Sequence, residues 1–77
     1  MNLKNMSRGM EAIVTGYAEG DASYRAKLLA LGLTRGVRIR LVNRAPLGDP
    51  VEIELRGFNL SLRGSEAEVV NVREIAG

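Results

Sequence analysis

The sequence predicts a small, mainly β fold: a five-stranded barrel with one α-helical segment inserted after the first strand. Three observations predict it. Strict alternation of apolar and polar residues recurs in "GVRIRLV", "VEIELR" and "FNLSLR", which is the period of a half-buried strand. One stretch, "ASYRAKLLALGL", switches to a helical period instead. Turn residues, mostly glycine, separate the segments at short spacing.

Taken in order, Leu3 to Gly9 is an opening segment closed by a turn at Ser7-Arg8-Gly9. "MEAIVTGY" is a short β run, with Ala12 and Val14 on one face and Glu11 and Thr15 off it. "AEGD" breaks it. In the helix, Tyr24, Leu28 and Leu31 recur at i, i+4 and i+7 and form one apolar stripe. Asp21 or Ser23 is the expected N-cap, accepting an orphan backbone N–H. Gly32 is the expected stop, because glycine tolerates the left-handed conformation at C′. Leu33 then folds back on Leu28. Val37, Ile39 and Leu41 point one way on the next strand, and Val51, Ile53 and Leu55 on the one after. Paired as a hairpin, the two strands carry Arg38 and Arg40 outward against Glu52 and Glu54. A turn near Gly57 leads to a third alternation, with Leu60 and Leu62 inward. Ser65 is the expected N-cap of one short helical turn, and Val70 and Val72 face the core from the last strand. Five short strands with tight turns and one inserted helix indicate a closed, SH3-like barrel.

Size and composition set limits on function. The chain has 77 residues, 45% of them apolar, and neither cysteine nor histidine. Disulfides are excluded, and zinc-type sites lose their usual ligands. Residues 1–77 are expected to form one domain. The absence of cysteine fits a reducing cytoplasm, and no apolar run is long enough to cross a bilayer. Residues 1–44 hold eight Lys/Arg against three Asp/Glu, whereas residues 45–77 hold three against six. The halves are therefore expected to pair with each other, not to present a basic face to nucleic acid.

Both prolines of the chain fall in "RAPLGDP", residues 44–50. Pro46 suits position i+1 of a turn, Gly48 supplies a left-handed residue, and Pro50 opens a strand where no N–H is needed. Leu47, at the tip, is not explained by turn chemistry. Here the chain resembles the FeoA family of bacterial ferrous iron uptake. The matching pieces are "YRAKLLALGLTRGVRI", "RAPLGDPVEIELRGFNLSLR" and "SEAEVVNV", with Gly32, Gly36, Gly48 and Gly57 at the turns. "NLKNMSRGMEAIV" is similar to the family's opening. The resemblance implies an SH3-like barrel of the kind also found as the C-terminal domain of DtxR-type repressors. No helix-turn-helix segment precedes it, so a complete repressor is not expected. It also implies an accessory, regulatory role in Fe(II) uptake through FeoB, a membrane transporter with a cytosolic GTP-binding domain.

Each class of function leaves its own mark. General acid–base catalysis mostly uses histidine or a carboxylate in a perturbed setting, and the acids here mostly alternate outward on strands, so no enzyme is expected. Without His or Cys, no side-chain metal site and no cofactor are expected. An RNA-binding barrel wants a basic groove and stacking aromatics, and Tyr17, Tyr24 and Phe58 are scattered. A free-standing domain akin to metal-dependent repressors, binding a regulatory metal or a peptide, is the alternative. Protein–protein contact with FeoB is the favoured reading, with self-association compatible with it. Arg25 and Arg44 are the arginines that strand pairing leaves unexplained, and they are the candidates for an arginine finger toward a GTPase. Ala22, Ala26 and Leu29 form a second apolar stripe on the helix. The expected partner-binding residues are thus Arg25, Leu29, Arg44 and Leu47.

Overall fold

The computed structural model describes residues 1–19 and 22–75. The strands are β1 (Glu11–Tyr17), β2 (Arg38–Arg44), β3 (Val51–Leu55), β4 (Phe58–Leu62) and β5 (Val70–Glu74). Helix α1 (Ala22–Ala30) connects β1 to β2, and the short α2 (Gly64–Glu68) connects β4 to β5. All pairings are antiparallel, in the order β4-β3-β2-β1-β5. Strand pairing leaves β4 and β5 as the two edges, so the expected closure is not made by a β4–β5 ladder.

Alternation builds the core as expected for Ala12, Val14, Ile39, Leu41, Val51, Ile53, Leu55, Leu62, Val70 and Val72, all buried. Three expected core residues are only partly buried: Leu31, Val37 and Leu60. Leu31 is the residue before the helix-terminating Gly32, Val37 precedes β2, and Leu60 lies on an edge strand, so each is covered from fewer sides.

Helix α1 ends as its sequence dictates. Gly32 takes φ +102°, its N–H donates to the Leu29 carbonyl at 3.0 Å, and the Leu33 N–H donates to the Leu28 carbonyl at 3.1 Å. These are the two bonds of a Schellman cap, and they place Leu28 and Leu33 together in the core. A Cβ on Gly32 would also lie 3.3 Å from Leu55 Cδ2. Of the two expected N-caps of α1, only one falls within the described residues. Ser23 lies inside α1, and Asp21 lies outside the described residues. Ser65 likewise lies inside α2, whose N-cap is Arg63. Glu66 accepts from the Arg63 N–H at 2.8 Å, so a carboxylate three residues on serves the orphan donor.

The hairpin forms, but half of its expected charge pairing does not. Arg40 faces Glu54 and pairs with it at 3.1 Å. A bulge between Leu41 and Asn43 shifts the register, so Glu52 faces Asn43 and accepts from Asn59 Nδ2 at 3.3 Å. Arg38 faces Ile13 on β1. The broader charge expectation holds. Among the described residues, all three ion pairs (Lys4–Glu68, Lys27–Glu66 and Arg40–Glu54) join a cation from the first 44 residues to an acid from the rest.

The opening segment contributes more than sequence pattern suggests. Leu3 and Met6 are fully buried. Leu3–Asn5 form a 3₁₀ turn whose Asn2 carboxamide accepts from the Lys4 N–H at 2.9 Å. Asn2 bridges Asn71, and the Met1 carbonyl accepts from the Val72 N–H at 2.9 Å, so this segment covers the outer edge of β5. If Leu3 is a core residue, Leu3→Ala should cost about 2–5 kcal/mol in urea unfolding. A change below about 0.5 kcal/mol would mark the segment as a detachable arm.

Candidate functional site

Helix α1 is too short to be stable by itself, so its contacts decide which face it presents. Leu28 is its buried residue, with Tyr24 and Leu31 packed partly against the core. Lys27 reaches to α2, where its Nζ lies 2.5 Å from Glu66 Oε2. Glu66 is buried and ionised between Lys27 and the Arg63 N–H. The Lys27 hydrogen bond holds the Glu66 carboxyl below the usual carboxylate range, and burial opposes this only in part. With those contacts made, Ala22, Ala26 and Leu29 are left exposed. The second apolar stripe is therefore a surface stripe, with Leu29 at 39% exposure.

Leu29 borders a cleft of about 230 Å³ lined by Gly16, Tyr17, Arg25 and Arg35. A bulge between Val14 and Gly16 re-aims the end of β1 beneath it. A Cβ on Gly16 would lie 3.3 Å from Arg35 Nη2, so glycine lets that guanidinium lie against the strand. Tyr17 donates its hydroxyl to the Leu33 carbonyl at 2.6 Å, tying β1 to the helix cap. Burial pushes its phenol up, and the nearby Arg25 charge partly offsets this. Among the described residues, no acid pairs with Arg25 or Arg35.

The β2–β3 connection is a second place. The Gly48 N–H donates to the Ala45 carbonyl at 2.7 Å, with Pro46 and Leu47 as the central turn residues. Gly48 takes φ +79°, and the Asp49–Pro50 peptide is cis. The turn rests on α2: a Cβ on Gly64 would meet the Gly48 carbonyl at 3.4 Å and Asp49 Oδ2 at 3.5 Å. Leu47 projects from this base at 94% exposure. Arg44 has a local task, because its Nη2 donates to the Met6 carbonyl and ties the opening segment to β2. The four expected residues thus fall in two places, Arg25 with Leu29 on the α1 side and Arg44 with Leu47 at the proline connection. Tyr17 and Arg35 were not expected at the cleft. An isolated glycine inside a strand pattern, Gly16, is the signal that marks such a spot.

Among the described residues, no group of three or more Asp or Glu side chains is arranged to hold a metal ion. No described helix is long and apolar enough to cross a membrane.

Residues 1–74 match the family model described as FeoA domain. The chain belongs to the FeoA family. It is 33% identical over 76 residues to a Fe(2+) transport protein A/Fe(2+) transporter FeoB fusion protein of Porphyromonas gingivalis, and spans 99% of this chain but only 9% of that relative. The solution structure of FeoA from Chlorobium tepidum is 40% identical, with a TM-score of 0.84 over 100% of this chain and 72% of that one. Stenotrophomonas maltophilia FeoA complexed with zinc, described as a procaryotic SH3 domain protein, is 28% identical with a TM-score of 0.83, covering 95% of this chain and 89% of that one. The fold is accordingly the SH3-like one. A manganese-dependent transcriptional repressor shares that fold at a TM-score of 0.89 and 16% identity, over 96% of this chain and 36% of its own.

The Lys27–Glu66 pair makes stability pH-dependent with a definite sign. The folded pKa of Glu66 lies below its unfolded value, so its contribution is complete above the unfolded pKa and is lost as pH falls through the folded one. Glu66→Gln should lower stability by about 1–2 kcal/mol at neutral pH and flatten the loss seen on acidification below the usual carboxylate range. Urea unfolding across that pH window checks both; equal acid slopes in the two proteins would contradict the assignment.

Proposed function

We propose that this chain is a non-catalytic accessory protein of bacterial Fe(II) uptake that acts by docking onto the transporter FeoB. One observation carries the proposal: in the Porphyromonas gingivalis relative, a segment like this chain is named together with FeoB as one fusion protein. Covalent linkage of two modules supplies a high effective concentration for a contact between them. Separate chains of the same kinds then have to find each other by affinity. In this reading residues 1–77 act as one domain in the cytoplasm, alongside the transporter's GTP-binding part.

The surfaces that fit docking are those on which apolar side chains meet water. Leu29 and Leu47 are exposed at 39% and 94%. The buried core of an interface is more apolar than the rest of the surface, with arginine enriched in it. Arg25 borders the same cleft as Leu29 and is the freer of the two finger candidates, since Arg44 is engaged with Met6.

The test is Leu29→Arg. The variant should unfold within about 0.5 kcal/mol of the parent, as exposed substitutions do, and should lose capture of detergent-solubilised FeoB. A folded variant that captures FeoB as well as the parent would overturn the assignment of the α1 face.

A further inference from the structure

We propose that the free edge of β4 is a pairing site for a second copy of this chain, joining two sheets antiparallel across a two-fold axis at Leu60. The argument starts from how the fold treats its two edges. The outer edge of β5 is covered by the opening segment, through the Asn2–Asn71 bridge and the bond from the Val72 N–H to the Met1 carbonyl. Among the described residues, β4 pairs with β3 on one side only and ends the sheet. It is also the most exposed strand: Phe58, Asn59 and Ser61 are exposed and Leu60 is partly so.

Hydrogen-bond parity shows which groups that edge offers. Arg56 and Gly57 form a two-residue turn with φ +52° and +85°, the type I′ geometry of a tight hairpin. Leu55 and Phe58, which flank it, are therefore a hydrogen-bonded pair. Such pairs alternate along an antiparallel ladder, so Leu60 and Leu62 also turn their backbone groups toward Ile53 and Val51. The N–H and C=O of Asn59 and Ser61 point away from β3.

That pattern is self-complementary. With two β4 strands antiparallel about Leu60, Asn59 of one copy lies opposite Ser61 of the other, and the two exchange both backbone bonds. Phe58, half exposed at 49%, comes opposite Leu62 of the second copy, and Leu60 meets its own symmetry mate. Edge strands are ordinarily blunted by lysine, proline, a bulge or an inward charge. "FNLSL" has none of these, and its ladder to β3 runs without a register shift. An uncharged edge carries no like-charge repulsion against its own copy, whereas β5 carries Arg73 and Glu74.

Sedimentation equilibrium of the full chain from micromolar to about 1 mM, with amide hydrogen exchange at both extremes, tests the proposal. Dimerisation is expected, with the Asn59 and Ser61 amides becoming protected as concentration rises while the Leu60 amide is protected throughout. Ser61→Pro removes an outward donor and no hydrogen bond to β3, and should weaken the dimer at least about tenfold. The exposed double variant N59K/S61K keeps the backbone but sets lysine against lysine across the seam, and should weaken it to a similar degree. A chain that stays monomeric at the highest concentration would overturn the proposal. So would a dimer that leaves Asn59 and Ser61 exchange unchanged or that survives both variants.

Discussion

Leu28 is the pin on which the arrangement turns. A nine-residue helix has too few hydrogen bonds to hold itself in water, so α1 exists because the sheet accepts one of its side chains. The Schellman cap fixes the depth and angle of that insertion by drawing Leu33 onto Leu28. Tyr17 adds a hydroxyl bond to the same cap, and Lys27 ties the helix to the buried Glu66 of α2. Leu28 is the residue of α1 that these contacts bury, while Lys27 reaches Glu66 from an exposed position. The outward side, with Arg25 and Leu29, is left to water by the same geometry, which is why a chain this small can show a leucine beside guanidinium groups that, among the described residues, no acid pairs with, without losing its core.

A second constraint is that the chain has no cysteine for a disulfide and neither histidine nor cysteine to ligate zinc. Without cysteine or histidine, a domain of this size depends on burying nearly all its aliphatic surface. The opening segment meets that need: Leu3 and Met6 add to the core, while their backbone covers β5. Arg44 holds that segment through the Met6 carbonyl. Among the described residues, apolar side chains stay outside on β4 at Phe58, on α1 at Leu29 and at the proline connection at Leu47.

Much of this was legible in the sequence because periodicity and turn chemistry are local. Alternation placed Ile39, Leu41, Val51 and Ile53 on the correct face, and the Gly32 stop with its Leu28–Leu33 contact follows from helix-end geometry alone. A second helical stripe singles out Leu29, and a turn tip that needs no leucine singles out Leu47; both are exposed. What was not legible depends on tertiary context. The register of β2 on β3 leaves Arg38 beyond the ladder, and the bulge after Leu41 sets Glu52 opposite Asn43; no residue type announces either. Ser65 looks like a cap, yet Glu66 is taken up by Lys27 from a distant helix. Arg44 looked unoccupied because its acceptor is a backbone carbonyl, and Leu3 and Met6 are too few to show a period.

The docking surface proposed for FeoB is the α1 face with the proline tip, positioned by a helix pinned at Leu28. Chemical-shift mapping tests it most directly: the isotopically labelled chain is titrated with the soluble GTP-binding domain of FeoB and followed at each backbone amide. The account predicts perturbations centred on Tyr17, Arg25, Leu29 and Arg35 and on residues 45–49, with the amides of β4 unaffected. Perturbations confined to the outward sheet face around Arg38 and Arg40, with the α1 amides unmoved, would contradict it.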